Sequence, residues 1–197
     1  MDDVPKLGDA LPLIASDPAW LQVALHDLDS VHADHLHCER KAAQSALSLI
    51  RSYPAHTDLV TAMARLAHDE TRHVVQVASL MARRGQPASY DHGDDYAAAL
   101  RTLIRNREPE RLLDRLLVFA IIEGRSAERL GLLAGALDDP KSRELYASLA
   151  DAEVRHRDTF LALARDAAPA AWRDRASELA AREAEIMAHR TPTPRIH

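Results

Sequence analysis

One eight-residue pattern occurs twice in this 197-residue chain, as LAHDETRH at Leu66 to His73 and as LADAEVRH at Leu149 to His156. Both copies read L-A-x-x-E-x-R-H. A Glu and a His three residues apart share one face, a turn apart, when the segment is helical. A lone Glu-x-x-His carries little weight, since a composition like this yields roughly one by chance. The surroundings add weight: Glu39 lies 31 residues before Glu70, and Glu123 lies 30 residues before Glu153. Both of these glutamates sit among small and apolar neighbours, Leu36, Ala42, Ala43 and Ala46 for the first and Phe119, Ala120, Ile122 and Ala127 for the second. A carboxylate on a core-facing side is costly to bury unless it is paired or metal-bound. Four such carboxylates and two imidazoles converging in one bundle therefore need cations.

Prolines set the lengths of the elements. After a short leader they fall at Pro18, Pro54, Pro87, Pro109, Pro140 and Pro169, then at Pro192 and Pro194. Proline is tolerated in the first turn of a helix and breaks its interior. The intervals predict a helix from Asp17 as N-cap to about Tyr53, a second from Thr57 or Asp58 to Arg84 with Gly85 as its stop, and a short one from Asp94 to Arg107. A second series follows: Pro109 to Leu137, Asp138 or Asp139 to Asp166, and a shorter helix from Ala170 to His189. Long, long, short is followed by long, long, short, so the halves form an internal repeat. Residues 1–16 and 190–197 read as an irregular leader and tail of a single domain, 1–197.

Composition agrees with helix. Ala, Leu and Arg dominate, while aromatics are 4% and glycines number six. No apolar run of about 18 residues suggests a membrane span. The N-terminus has acids where a secretory signal needs basic residues. One cysteine, Cys38, excludes an internal disulfide framework and fits a reducing cytoplasm. A net charge of −5 argues against global attraction to nucleic acid. A local cluster remains: Arg101, Arg105, Arg107, Arg111 and Arg115, with Arg83 and Arg84 nearby. It could contact phosphates, or it could be a solvated face laced with Glu108, Glu110 and Asp114.

One Glu from each of two helices, with Glu-x-x-His from each of two others, is the donor set of ferritin-like di-iron and di-manganese carboxylate proteins. The expected fold is therefore all-α: a ferritin-like four-helix bundle with two shorter helices and pseudo-twofold repeat. The candidate metal ligands are Glu39, Glu70, His73, Glu123, Glu153 and His156. Carboxylate and imidazole suit iron or manganese, and the absence of cysteine ligands argues against structural zinc. His35, one turn before Glu39, either lines the site or is a satisfied core histidine. Asp34 either orients a metal-bound histidine or lies on the surface. His26, His32 and His37 read as exposed. Cys38 turns away from Glu39 and reads as packing.

At these residues the chain resembles the tRNA hydroxylase family MiaE. The resemblance lies in CERKAAQSALSLIRSYP (Cys38 to Pro54), ARLAHDETRH (Ala64 to His73), EPERLLDRLLVFAIIEGRSAER (Glu108 to Arg129), LADAEVRH and the closing PRIH. Gly124 and Ala127 stand where Ala and Cys are more usual. The resemblance implies an oxygen-dependent di-iron monooxygenase that hydroxylates the isopentenyl side chain of 2-methylthio-isopentenyl-adenosine in tRNA. It implies the same six ligands, two iron ions, O2 as co-substrate, tRNA as partner and a ferredoxin-type electron donor, with no membrane. Gly124 and Ala127 could leave room for the prenyl group, or could serve close helix packing. Rival readings are a ferroxidase or mini-ferritin, another di-iron oxidase such as a quinone hydroxylase or rubrerythrin-like peroxidase, and a bundle with a vestigial site.

Overall fold

The computed structural model describes residues 7–197 of the protein, and among them there are helices and no strand. A short 3-10 turn, Leu7–Ala10, precedes seven α-helices: α1 Pro18–His26, α2 Leu28–Ser52, α3 Thr57–Arg83, α4 Asp95–Arg101, α5 Glu110–Ala136, α6 Pro140–Ala167 and α7 Trp172–Ala188. The long helices α2, α3, α5 and α6 form the bundle. Short connections make α2 and α3 one antiparallel pair and α5 and α6 the other, as the duplicated pattern requires.

Capping explains most boundaries. The carboxylates of Asp17, Asp94 and Asp139 accept the backbone N–H of Ala19, Ala97 and Ser142 at the starts of α1, α4 and α6. Gly85 ends α3 with a φ of +67°, where a side chain would be strained.

Two expected helices differ from what is observed. The helix expected from Asp17 to Tyr53 breaks at Asp27, whose φ of −136° and ψ of 67° leave the helical region. Its carboxylate accepts from Ser30 N at 3.1 Å and Ser30 Oγ at 2.7 Å, a new N-cap that starts α2. The helix expected to reach Arg107 ends at Arg101. Downstream, the buried carboxylate of Asp114 takes both the backbone N–H and the guanidinium of Arg105, which draws the chain out of the helix.

The apolar core has two clusters. One holds Ala46 and Leu49 of α2, Met63 and Leu66 of α3, Leu116 to Ile121 of α5 and Phe160 of α6. The other holds Val31 of α2, Val77 and Leu80 of α3, Leu130 and Leu133 of α5 and Leu149 of α6. On each long helix the candidate ligands fall between a residue of one cluster and a residue of the other. The polar site is a layer held between two greasy ones, which shields it from bulk water.

Beyond the Leu7–Ala10 turn, the described leader and the tail have no regular structure, yet both pack against the bundle. Ser16 is buried and hydrogen-bonds Glu128, Arg125 and Arg129 of α5. The tail has no helix, yet Ile196 and His197 are buried. Trp20 Nε1 donates to Arg195 O at 2.9 Å, and Arg129 donates to Ile196 O at 3.0 Å. Residues 1–6 of the leader lie outside the described part of the chain.

Candidate metal centre

Glu39 of α2, Glu70 and His73 of α3, Glu123 of α5, and Glu153 and His156 of α6 meet in this layer, none more than 5% exposed. Their donor atoms form two groups, each within 4.8 Å: Glu39, Glu70, His73 and Glu153, and Glu70, Glu123, Glu153 and His156. Glu70 and Glu153 belong to both. His73 Nδ1 lies 3.3 Å from Glu39 Oε2 and 3.3 Å from Glu70 Oε2. His156 Nδ1 lies 2.9 Å from Glu70 Oε1 and 3.2 Å from Glu153 Oε2.

Four carboxylates here face two imidazoles, so protons are too few to satisfy every oxygen. Glu70 Oε1 and Glu153 Oε1, one on each shared carboxylate, are buried and accept no hydrogen bond from the described residues. The 2.9 Å approach of His156 Nδ1 to Glu70 Oε1 lacks hydrogen-bond alignment. Buried unpaired carboxylate oxygens are costly. The donor set fits two divalent cations that share Glu70 and Glu153, and its hard, sulfur-free character suits iron or manganese.

The electrostatics of the metal-free cluster agree. Burial, then the charges of Glu153 and Glu70, push the Glu123 carboxyl well above the usual range. Burial also raises Glu70, although the neighbouring imidazoles of His156 and His73 oppose it. For Glu39, burial and Glu153 act upward, but His35 and His73 prevail and hold it down to about 2. Burial disfavours the charged forms of His73 and His156, yet the carboxylates of Glu39 and Glu70 beside the one, and of Glu153 and Glu70 beside the other, push both up to about 10. Both folded values exceed the ordinary 6.5. The stability these imidazolium ions lend is full below that ordinary value and is lost as pH rises through about 10. Chelator-stripped protein should therefore lose melting temperature between pH 7 and 9.5 more steeply than metal-loaded protein, measured by thermal melts in matched buffers. Equal slopes would contradict this account.

Around the cluster, sequence expectations fare unevenly. His35 is buried and its Nε2 lies 2.5 Å from Glu39 Oε1, with its ring stacked on Tyr146. Asp34 is buried and does not reach a histidine of the cluster: its oxygens accept from Arg195 Nε and Ile196 N, both at 2.8 Å. Both readings of Asp34 are corrected, because its partner is the tail, which the sequence pattern left unplaced. His32, expected to be exposed, is buried against Tyr146 with Nδ1 3.1 Å from Gln86 Oε1. Gly124 does not open a cavity. A Cβ there would sit 3.0 Å from Leu13 Cδ1 and 3.4 Å from Arg157 Cδ, so it serves close packing.

Space beside the cluster lies elsewhere. A slot between α2, α4, α5 and α6 is walled by Ala42, Ala97, Phe119, Ile122 and Phe160. Buried Glu123 stands at its inner side, with exposed Arg101 and half-buried Lys41 at its outer side. Lys41 Nζ is buried, makes no hydrogen bond with the described residues, and lies 3.6 Å from Asp91 Oδ1. Of the arginines singled out in the sequence, Arg101 thus borders the slot and Arg107 is exposed. Arg105 is engaged instead by Asp114, with Nε 2.8 Å from Oδ2 and Nη2 2.8 Å from Oδ1. Lys41 carried no local signal; its position depends on tertiary packing alone.

Residues 10–197 match a family described as tRNA-(MS[2]IO[6]A)-hydroxylase (MiaE). The chain belongs to the MiaE family. It is 43% identical over 164 residues to a tRNA 2-(methylsulfanyl)-N(6)-isopentenyladenosine(37) hydroxylase of Pseudomonas putida, covering 83% of this chain and 79% of that protein. A protein of the same name from Salmonella typhimurium is 31% identical over 195 residues, covering 74% of this chain and 72% of that one. Among solved structures, protein 43 with aldehyde deformylating oxygenase activity from Synechococcus superposes with a TM-score of 0.88 at 35% identity, covering 94% of each chain. The MiaE chain described here is thus an enzyme with a ferritin-like all-helical fold. Among its described residues no helix is long and apolar enough to cross a membrane.

Proposed function

We propose that this MiaE chain is a single-domain, oxygen-dependent di-iron monooxygenase that hydroxylates the isopentenyl group of 2-methylthio-isopentenyl-adenosine in cytoplasmic tRNA. The observation that supports it most is the convergence of six buried donors into two groups sharing Glu70 and Glu153. Glu39 and His73 would complete one ion's ligands, and Glu123 and His156 the other's. When bound, two irons supply oxygen activation, with O2 as co-substrate and two electrons from a ferredoxin-type donor.

The chain's own residues position the rest. His35 fixes Glu39 by a short hydrogen bond, so the carboxylate does not swing. The two apolar clusters exclude water from the layer, which strengthens each electrostatic contact within it. The slot walls offer an apolar berth for a prenyl chain next to Glu123. Arg101, exposed at the rim of the slot, would meet a nucleotide phosphate there. Arg101→Ala should raise the KM for tRNA several-fold at low salt while leaving iron content unchanged, checked by steady-state hydroxylation at two ionic strengths. An unchanged KM would remove Arg101 from the interface.

A second reading, oxygen-dependent deformylation of an aldehyde, is favoured by the named activity of the Synechococcus protein alone. Nucleoside mass spectrometry of tRNA from cells with and without this gene separates the two. The hydroxylated nucleoside should disappear with the gene and return with its re-expression. Its persistence would overturn the tRNA reading.

A further inference from the structure

A second set of metal-binding side chains lies beside the slot and outside the six-residue cluster. Cys38 of α2, Asp94 at the start of α4 and His197 of the tail bring their donor atoms within 4.8 Å of one another. His197 Nδ1 lies 3.6 Å from Cys38 Sγ and 3.2 Å from Asp94 Oδ2. Its Nε2 lies 2.9 Å from Ser126 Oγ, and its ring stacks on Tyr96, so the imidazole is held with Nδ1 toward the other two donors. Asp94 is fixed by its capping bond to Ala97 N at 3.0 Å. Cys38 Sγ also lies 3.6 Å from Asp34 Oδ2.

These spacings suit a shared metal ion as well as a hydrogen bond. Tetrahedral coordination with a metal–sulfur bond of about 2.3 Å and metal–nitrogen or metal–oxygen bonds of about 2.05 Å gives a sulfur–nitrogen edge of about 3.6 Å and a nitrogen–oxygen edge of about 3.3 Å. The observed 3.6 and 3.2 Å are hydrogen-bond contacts in the metal-free chain, and they lie close to both edges, so an ion can replace the shared protons with little movement of the donors. The donors come from three separate elements and converge on one point. One thiolate, one imidazole and one carboxylate suit a borderline divalent ion such as zinc, cobalt or iron(II). Cys38 and His197 also line the small pocket that contains Glu39, Glu123 and Glu153.

We infer that Cys38, Asp94 and His197 form a third, mononuclear site for a divalent transition-metal ion beside the route to the dinuclear centre. Binding displaces the thiol proton to solvent and forms a metal–sulfur bond, with no change of oxidation state. An ion held there is placed to pass to the six-residue cluster. The inference does not depend on the hydroxylase reading.

The chain's single cysteine makes the test specific. Cobalt(II) is titrated anaerobically into metal-free full-length protein, and the near-ultraviolet sulfur-to-cobalt charge-transfer band is followed together with bound cobalt. The dinuclear centre has no sulfur and cannot produce that band. The expected result is a band that saturates at one equivalent per chain, with about three cobalt ions bound in all. Cys38→Ser should abolish the band and retain about two ions. His197→Ala should weaken the band's affinity at least about tenfold, since even outer partners of a metal are worth that much. No band in the unaltered protein, or a band indifferent to His197→Ala, would overturn the site. A failed hydroxylase assay with the band present would overturn only the reading of the dinuclear centre.

Discussion

Glu70→Ala should leave the protein without a coupled iron pair and with hydroxylation below detection. Glu70 contributes to both donor groups and has no exposure to solvent. Its loss removes a carboxylate from each ion at once. It also leaves His156 Nδ1 without its 2.9 Å neighbour and His73 Nδ1 without one at 3.3 Å. Glu153→Ala should behave alike, because Glu153 is the other shared residue. Glu39→Ala should be milder in metal content, since it belongs to one group only. Iron analysis and oxygen-consumption assays on folded variants, verified by circular dichroism, check this ranking. Full iron content with a coupled pair in Glu70→Ala would contradict the assignment.

The largest effect on stability is expected away from the metals. Arg125 of α5 is about 1% exposed and donates to Glu183 Oε1 of α7 from Nη2 at 2.7 Å and from Nε at 3.1 Å. It also binds Ser16 and Glu128, so one guanidinium ties the leader, α5 and α7 together. Burial opposes its charge, but Glu183 prevails and raises its pKa further. Arg125→Ala would strand Glu183, which is fully buried and, among the described residues, has Oε2 already unpaired and Tyr96 as its one other donor. Breaking a buried pair in this way costs about 3–5 kcal/mol. At roughly 2–4 °C per kcal/mol for a chain of this size, the melting temperature should fall by about 6–20 °C. The double variant Arg125→Met with Glu183→Leu should recover much of that loss, because no charge is left stranded. A fall of less than about 2 °C for the single variant would show that the network contributes little.

The sequence showed the site far better than the periphery, for a physical reason. The ligand set is periodic: Glu and His are three apart on a helix, and the two halves repeat, so spacing alone places all six donors on facing helices. The four long helices were legible because proline and aspartate caps mark their ends. Asp27 was not read as a break because an Asp with Ser three residues later is also compatible with the inside of a long helix. Asp34 and His32 were misjudged because their partners, Arg195 and Ile196 for the one and Gln86 and Tyr146 for the other, lie far along the chain. The tail gave no periodic signal, yet Ile196 is fully buried and His197 joins the Cys38 cluster. Arg105 pairs with Asp114, one of the acids interleaved with the arginines in sequence, but the face is not simply solvated, because Asp114 is fully buried.

The central claim is that Glu39, Glu70, His73, Glu123, Glu153 and His156 hold two irons as a pair. Mössbauer spectroscopy of iron-loaded, air-oxidised Cys38→Ser protein tests it most directly, since that variant removes the sulfur site from the count. The account expects about two irons per chain in one antiferromagnetically coupled, diamagnetic di-iron(III) unit. Isolated mononuclear ferric signals, or about one iron per chain, would contradict it.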